Sequence, residues 1–181
     1  MYKSYFTFVL ALFISIVSVS AQDNQGTLQP VVDELLKEMI NDYRIERQLG
    51  SLIESEVLNK SSEHHSLYMA TTRIVSHYQT MNLVSMSSIY SPRKRVDFFS
   101  RQNLPDGMNF SEVVVGVKSG KKSPQELATE LFESILSSQN RLPLTYIHAS
   151  YMGLSTVKRK NEVYLTIKFG IDSNHVLTIL D

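Results

Sequence analysis

Cysteine and tryptophan are absent from this chain of 181 residues, and neither sign of charge is in surplus. The lack of cysteine excludes disulfide bonds, thiol catalysis and cysteine metal sites, so the fold has to be stable through its core alone. The 18 basic residues balance the 18 acidic residues, which argues against nucleic acid as a partner because nucleic-acid binders carry a basic surplus. We find no internal repeat and no low-complexity tract.

The chain also lacks a second apolar run as long as the one near its N-terminus. That run extends from Tyr5 to Val17, follows Lys3 and precedes the small residues of V-S-A, which end at Ala21. Its length of about 13 residues is short of the roughly 20 that a membrane-spanning helix needs, and the pattern is that of a cleaved secretory signal. We therefore predict a signal peptide over residues 1–21, no transmembrane segment after cleavage, and a periplasmic or extracellular protein.

The remainder is long enough for a single domain with a sizeable core, which we place at residues 30–181 after a polar leader over 22–29. Pro30 suits the first turn of a helix, and apolar residues recur at three- and four-residue steps from Val31 to Leu49. The charged residues between them, Arg44 among them, are interpreted as the solvated face of that helix.

A second helix is predicted from Ser55 to about Ile74, with Ser76-His77 at its C-terminal end. Four small residues favour a close approach of this helix to a sheet or to another helix: Ser61, Ser62, Ser66 and Ala70. His65 falls on the buried stripe and is expected to be a core histidine with satisfied hydrogen bonds. The adjacent His64 points about 100° away on a helix, so the two are not expected to share one metal ion.

The second half of the chain is predicted to supply the sheet. β-Branched and alternating apolar residues, bounded by turn residues, predict strands at Asn109–Val117, Ser150–Val157, Glu162–Ile171 and 174–180. A helix with Ser123 as its N-cap and Pro124 in its first turn separates the first two strands. The basic run Arg93-Lys94-Arg95 is expected to be a solvated turn ahead of a short helix over 96–101. Helices before and between antiparallel strands give an α+β domain.

The order of short motifs is more specific than any one of them. Along the chain stand Asn41-x-x-Arg44, Leu49-Gly50-x-Leu52, Ser76-His77, Ser111-Glu112-Val113, Ser137-x-x-Asn140-Arg141, Met152-Gly153-Leu154-Ser155 and Phe169-Gly170. This series resembles the CAP superfamily of cysteine-rich secretory, antigen-five and pathogenesis-related proteins, in its cysteine-free bacterial SCP-domain form, over residues 32–171. The resemblance implies a three-layer α-β-α sandwich with a central antiparallel sheet, enclosing a cleft lined by two histidines and two acidic residues.

The cleft residues that the resemblance implies can be placed one by one. His77 matches the first histidine, and Glu112 matches the glutamate of the strand motif, where Val113 replaces an asparagine. Glu133 is the candidate for the second acidic residue. Asn140 stands where the second histidine is expected. The resemblance therefore implies a ligand cleft of His77, Glu112, Glu133 and Asn140 that is partly degenerate.

The substitution at Asn140 weakens a family-type zinc site. Zn²⁺ takes about three protein ligands, and a neutral amide is a poor one, so we expect no cofactor. At best, His77 and Glu112 would be the metal ligands. His148 would have to turn toward the cleft to become a third ligand. Without a metal, the carboxylate of Glu112 would orient the ring of His77. Alternatively, the two simply form a hydrogen bond across a polar cleft as part of the structure.

Three functions remain open on this sequence. The first is a non-enzymatic binding or interaction module, whose partner is an apolar small molecule, a lipid, an envelope component or another protein. The second is a hydrolase or metal-dependent enzyme with His77 as general base and Glu112 orienting it. Neither Ser76 nor Ser111 is flanked by nucleophile-elbow glycines, which argues against a serine hydrolase. The third is a protein–protein scaffold with a vestigial cleft. We favour the first.

Overall fold

The structure, a computed structural model, describes residues 25–79, 89–100, 109–137 and 141–171. Its elements are, in chain order, α1 (Gln25–Ile45), β1 (Ile53–Glu54), α2 (Glu56–Thr72), α3 (Pro92–Ser100), β2 (Asn109–Lys118), α4 (Pro124–Leu136), α5 (Arg141–Leu144), β3 (Ala149–Arg159) and β4 (Glu162–Ile171). None of the described helices combines the length and the apolar character needed to cross a membrane. The signal peptide over 1–21 and the final strand over 174–180 lie outside the described residues and stay predictions.

The sheet has the strand order β1-β3-β4-β2. The three long strands are antiparallel: β4 forms a hairpin with β3 and pairs with β2 from Asn109 opposite Ile171 to Lys118 opposite Glu162. The two-residue β1, which the sequence did not reveal, pairs parallel with β3 and makes the sheet mixed at that edge. The α+β class and the antiparallel hairpin are confirmed.

Side chains of β4 alternate between two helical layers because successive residues of a strand point to opposite faces. One face packs against α1 and α4 in the larger core, with Val163, Leu165, Ile167 and Phe169. The other face packs against α2, with Tyr164 in the smaller core and Thr166 bonded to Ser66. Helices therefore cover both faces of the sheet, as the α-β-α prediction requires.

Small side chains allow α2 to lie close against the sheet, as predicted. Ser62 Oγ donates a hydrogen bond to the carbonyl of Gly153 (3.1 Å), and Ser66 Oγ donates to the carbonyl of Ser155 (2.8 Å). At Gly153 itself the backbones approach so closely that an added Cβ would overlap the backbone of Leu58 and Asn59. The position of α2 thus depends on the absence of a side chain at residue 153.

Two predicted helix bounds are wrong. Helix α1 begins at Gln25, so Pro30 lies inside it and the last residues of the predicted leader are helical. Helix α2 ends at Thr72 because Arg73 adopts a left-handed backbone conformation (φ 60°) that terminates the helix. His77 consequently lies in the segment after α2 and not on the helix.

Arg44 is fully buried, so its prediction as part of a solvated face is wrong. Its guanidinium donates hydrogen bonds to four carbonyl oxygens, those of Gly50 (2.8 Å), Leu144 (2.9 Å), Tyr146 (3.1 Å) and Ala149 (3.0 Å). A buried charge is tolerated when its hydrogen-bonding capacity is satisfied in this way. Arg44 therefore fastens the end of α1 to the chain before β3.

We predict that Gly153→Ala destabilises the protein by at least about 1–3 kcal/mol, because the new methyl group overlaps the backbone of α2. Urea unfolding followed by circular dichroism measures this change. Gly50→Ala is the matched control, since an added Cβ there meets nothing within 4 Å. Equal stability of the two variants would contradict the close approach of α2 to β3.

Candidate functional site

Glu112 is the centre of a buried polar cluster between β2 and α2. Its side chain is only 2% exposed, and Lys168 stands directly opposite it on β4. Burying an ionised carboxylate costs a large amount of free energy unless charged or hydrogen-bonding groups compensate it. The surroundings of Glu112 supply both kinds of compensation.

Two fully buried cations bind the Glu112 carboxylate. Arg95 Nη2 donates to Oε1 (3.0 Å) and to Oε2 (2.8 Å), and Lys168 Nζ donates to Oε2. The expectation that Arg95 belongs to a solvated turn is wrong: helix α3 turns it inward, while Arg93 forms an exposed ion pair with Asp97. Arg95 belongs to α3 and Lys168 to β4, so their ion pairs with Glu112 tie β2 to both elements.

Arg95 also fixes the chain on either side of the cluster. Its guanidinium donates to the carbonyl oxygens of His77 (3.0 Å), Tyr90 (3.3 Å) and Ile89 (3.5 Å). The backbone amide of Gln79 donates to the carbonyl of Tyr90 (3.0 Å). The segment after α2 and the segment before α3 are therefore held side by side.

The structure brings His77 and Glu112 together. His77 Nδ1 lies 3.1 Å from Glu112 Oε1, and because a carboxylate only accepts, Nδ1 carries the proton. The His77 side chain is 43% exposed, whereas Arg95 and Lys168 are fully buried. His77 therefore connects the buried cluster to solvent, although its role in binding a ligand stays a prediction.

His65 is a fully buried member of the same cluster. Its Nε2 lies 2.6 Å from the carbonyl oxygen of Ser76, so Nε2 carries the proton, and its Nδ1 accepts from the amide of Gln79 (3.1 Å). Burial lowers the pKa of His65 to about 3, with Glu112 opposing this, so the ring is neutral. The prediction of a satisfied core histidine is confirmed.

The two adjacent histidines share one partner, which the sequence did not predict. The Gln79 amide nitrogen lies 3.1 Å from His65 Nδ1 and 3.3 Å from His64 Nδ1. Both rings therefore face the same side-chain amide. The expectation that the two histidines do not share one metal ion stays a prediction.

Electrostatics keep Glu112 ionised. Burial alone would raise its pKa, but the hydrogen bond from His77 and the charges of Lys168 and Arg95 outweigh burial and hold the pKa well below its usual range. Burial lowers the pKa of Lys168 to about 8, and the Glu112 charge opposes that shift. Near neutral pH the cluster therefore holds two cations and one anion.

The remaining predicted cleft residues either do not join this cluster or lie outside the residues that the structure describes. Glu133 is exposed on α4, which packs with α1 against the opposite face of the sheet, so the structure does not bring it together with His77 and Glu112. Its match to the second acidic residue stays a prediction. Asn140 lies outside the described residues. His148 precedes β3 and packs its ring edge-on against Tyr146 (5.4 Å).

Neither candidate serine is placed as a nucleophile for His77. Ser76 Oγ accepts a hydrogen bond from the backbone amide of Tyr78 (3.1 Å) within its own turn. Ser111 precedes Glu112 on β2 and so points to the other face of the sheet. The arrangement of a serine hydrolase is not formed by these residues.

The described residues do not fit a zinc ion. Among them no group of three or more histidine or acidic side chains could hold a metal. Both carboxylate oxygens of Glu112 are bound by cations, and both ring nitrogens of His65 are in hydrogen bonds. The nitrogen that His77 turns to Glu112 carries a proton and so has no lone pair for a metal.

Sequence reasoning missed Arg95, Lys168 and Gln79 as members of the cluster. A signal for Lys168 exists, because it is a lone charge inside the otherwise apolar strand V-Y-L-T-I-K-F-G-I, and a lysine is almost never fully buried unless paired. Glu112 opens a similar apolar strand and is the natural partner. Neither Arg95 nor Gln79 has a comparable local signal.

Comparison with known proteins supports the fold. No family model matches the sequence, and no curated protein is detectably similar to it. An outer surface protein of Borrelia burgdorferi has a similar structure, with a TM-score of 0.61 and 15% identity over 78% of this chain and 93% of that one.

An extracellular protein of Bacillus anthracis that contains an SCP domain is also similar, with a TM-score of 0.63 and 15% identity over 84% of this chain. The match covers 44% of the Bacillus protein, so this chain spans less than half of its length. The chain has the fold of an SCP domain. The CAP-superfamily fold that the motif order implied is thereby confirmed.

We predict that Glu112→Gln destabilises the protein by about 3–5 kcal/mol, because it leaves Arg95 and Lys168 as buried cations without an anion. Chemical unfolding measures the change. Glu133→Gln on the exposed face of α4 is the matched control and should have little effect.

The double variant Glu112→Gln/Lys168→Met should be more stable than Glu112→Gln, since it removes one of the uncompensated charges. If Glu112→Gln proves as stable as the control, Glu112 does not compensate these cations.

Proposed function

We propose that this protein is an exported, non-enzymatic binding module with the SCP fold, and that its ligand binds at the surface around His77. The observation that carries the proposal is the full compensation of Glu112 by Arg95 and Lys168 next to the partly exposed side chain of His77. The signal sequence predicted over 1–21 supports export. So do the two similar structures, an outer surface protein and an extracellular protein.

The state of Glu112 argues against general acid–base catalysis. A catalytic acid or base works best when its pKa lies near the operating pH. Burial would raise the pKa of Glu112, but His77, Lys168 and Arg95 hold it far below that range. The enzyme alternative therefore has the residue pair it needs but not the electrostatics.

A set of exposed apolar side chains, the apolar rim, adjoins His77 along the chain and supports a binding role. We define it as Ile74, Val75, Tyr78 and Tyr90, which are 42–53% exposed. The rings of Tyr78 and Tyr90 lie 5.4 Å apart, and Arg95 holds the backbone of the two segments together. Grouped apolar side chains at a surface mark sites of ligand or partner binding.

The charge beneath the rim suggests the kind of ligand. Two cations and one anion leave the cluster with a net positive charge, which attracts an anionic group. An apolar molecule with an anionic head would place its tail on the rim and its head near the cluster. A long-chain fatty acid has this chemistry.

We predict that the mature protein binds a long-chain fatty acid more tightly than the alcohol of the same length. Tyr78→Ser or Ile74→Ser should weaken binding by about tenfold or more, because burying such a side chain contributes roughly 1.5–3 kcal/mol. Native mass spectrometry and fluorescence titration measure the affinities. Ile147→Ser is the matched control, an exposed isoleucine outside the rim.

The outcomes separate the functional hypotheses. A wild-type protein that binds neither lipid contradicts the small-molecule proposal and favours the scaffold alternative, in which the rim binds a protein. Hydrolytic activity that His77→Ala abolishes would show that the protein is an enzyme. Equal losses in the rim variants and in Ile147→Ser would place the ligand elsewhere.

A further inference from the structure

We infer that Arg95 and Lys168 together replace a divalent metal ion in the cleft, so that the protein carries its own cations and binds no metal there. The inference rests on the contacts of Glu112 and does not depend on which ligand the apolar rim binds. It assigns a function to two residues that the motif comparison did not mark.

The first observation is that hydrogen bonds occupy both oxygens of the Glu112 carboxylate. Oε1 accepts from Arg95 (3.0 Å) and His77 (3.1 Å), while Oε2 accepts from Arg95 (2.8 Å) and Lys168. Each carboxylate oxygen has two lone pairs, so these four contacts use all of them. A metal ion could bind Glu112 only by displacing one of the cations or His77.

The second observation is the charge. Arg95 and Lys168 bring two positive charges to the carboxylate, the same total as a divalent ion, and both side chains are fully buried. A metal entering beside them would add its charge to a cluster that is already positive. Repulsion between like charges is strong where water is excluded.

The third observation is the protonation of the two histidines. His77 turns its protonated Nδ1 to Glu112, and His65 uses its protonated Nε2 for the carbonyl of Ser76. The Nε2 of His65 lies 3.9 Å from Glu112 Oε1, so the nitrogen nearest the carboxylate is again a donor. Neither ring turns a lone pair toward Glu112, where a shared metal would have to lie.

The three observations have one consequence for the working protein. Covalently attached cations cannot be removed by a chelator or exchanged with the medium. The arrangement of β2, α3 and the segment after α2 should therefore be independent of metal supply, unlike a site in which the metal itself holds the ligands together.

Titration of the mature wild-type protein with Zn²⁺ alone tests the inference. Calorimetry should show no Zn²⁺ binding to the wild type that is lost in the His77→Ala variant. Neither Zn²⁺ nor a chelator should shift the unfolding temperature of the wild type. Zn²⁺ binding to the wild type that His77→Ala and Glu112→Gln both abolish would overturn the inference.

The double variant Arg95→Met/Lys168→Met provides the complementary test. It leaves Glu112 as an uncompensated buried anion, so Zn²⁺ should raise its stability and bind at least about tenfold more tightly than to the wild type. Adding Glu112→Gln should abolish the gain, and Lys121→Met, at an exposed lysine, should produce none. A folded double variant without any gain would contradict the inference; if it does not fold even with Zn²⁺, the wild-type titration decides.

Discussion

A buried, ionised carboxylate constrains this structure more than any other single group. Glu112 can remain inside only if charged partners reach it, and those partners come from distant parts of the chain: Arg95 from α3 and Lys168 from β4. His77 reaches it from the segment that follows α2. The register of β2 against β4, the placement of α3 and the path after α2 all have to agree for one carboxylate to be compensated.

The same compensation shapes the function. The groups that make burial of Glu112 possible also hold its pKa far below neutral, and we infer that they keep a metal ion from it. What remains accessible is His77, with the exposed apolar residues that adjoin it along the chain. In the proposed function this surface binds the ligand and the polar interior supports it.

The local sequence pattern was sufficient to predict a helix or strand where a residue's environment follows from its neighbours in sequence. The alternation in Glu162–Ile171 and the cap at Ser123 predicted a strand and a helix start correctly. Motif order was needed to pair His77 with Glu112. Arg95 could not be placed, because a basic run looks solvated until tertiary packing turns one member inward. The distance of Glu133 from the cluster could not be foreseen either, because spacing along a helix does not reveal which face of the sheet that helix covers.

The protonation of Glu112 is the most direct test of this account. Carbon-13 NMR of the Glu112 carboxyl group, followed against pH in the full mature chain, reports it without altering a residue. The account predicts that the carboxyl group stays ionised through the usual titration range of a glutamate, about pH 3–5, with no protonation step there or at higher pH. A smaller change of the signal near pH 8 would report the neighbouring Lys168. An inflection at about pH 5–7, the range of a tuned general acid or base, would contradict it.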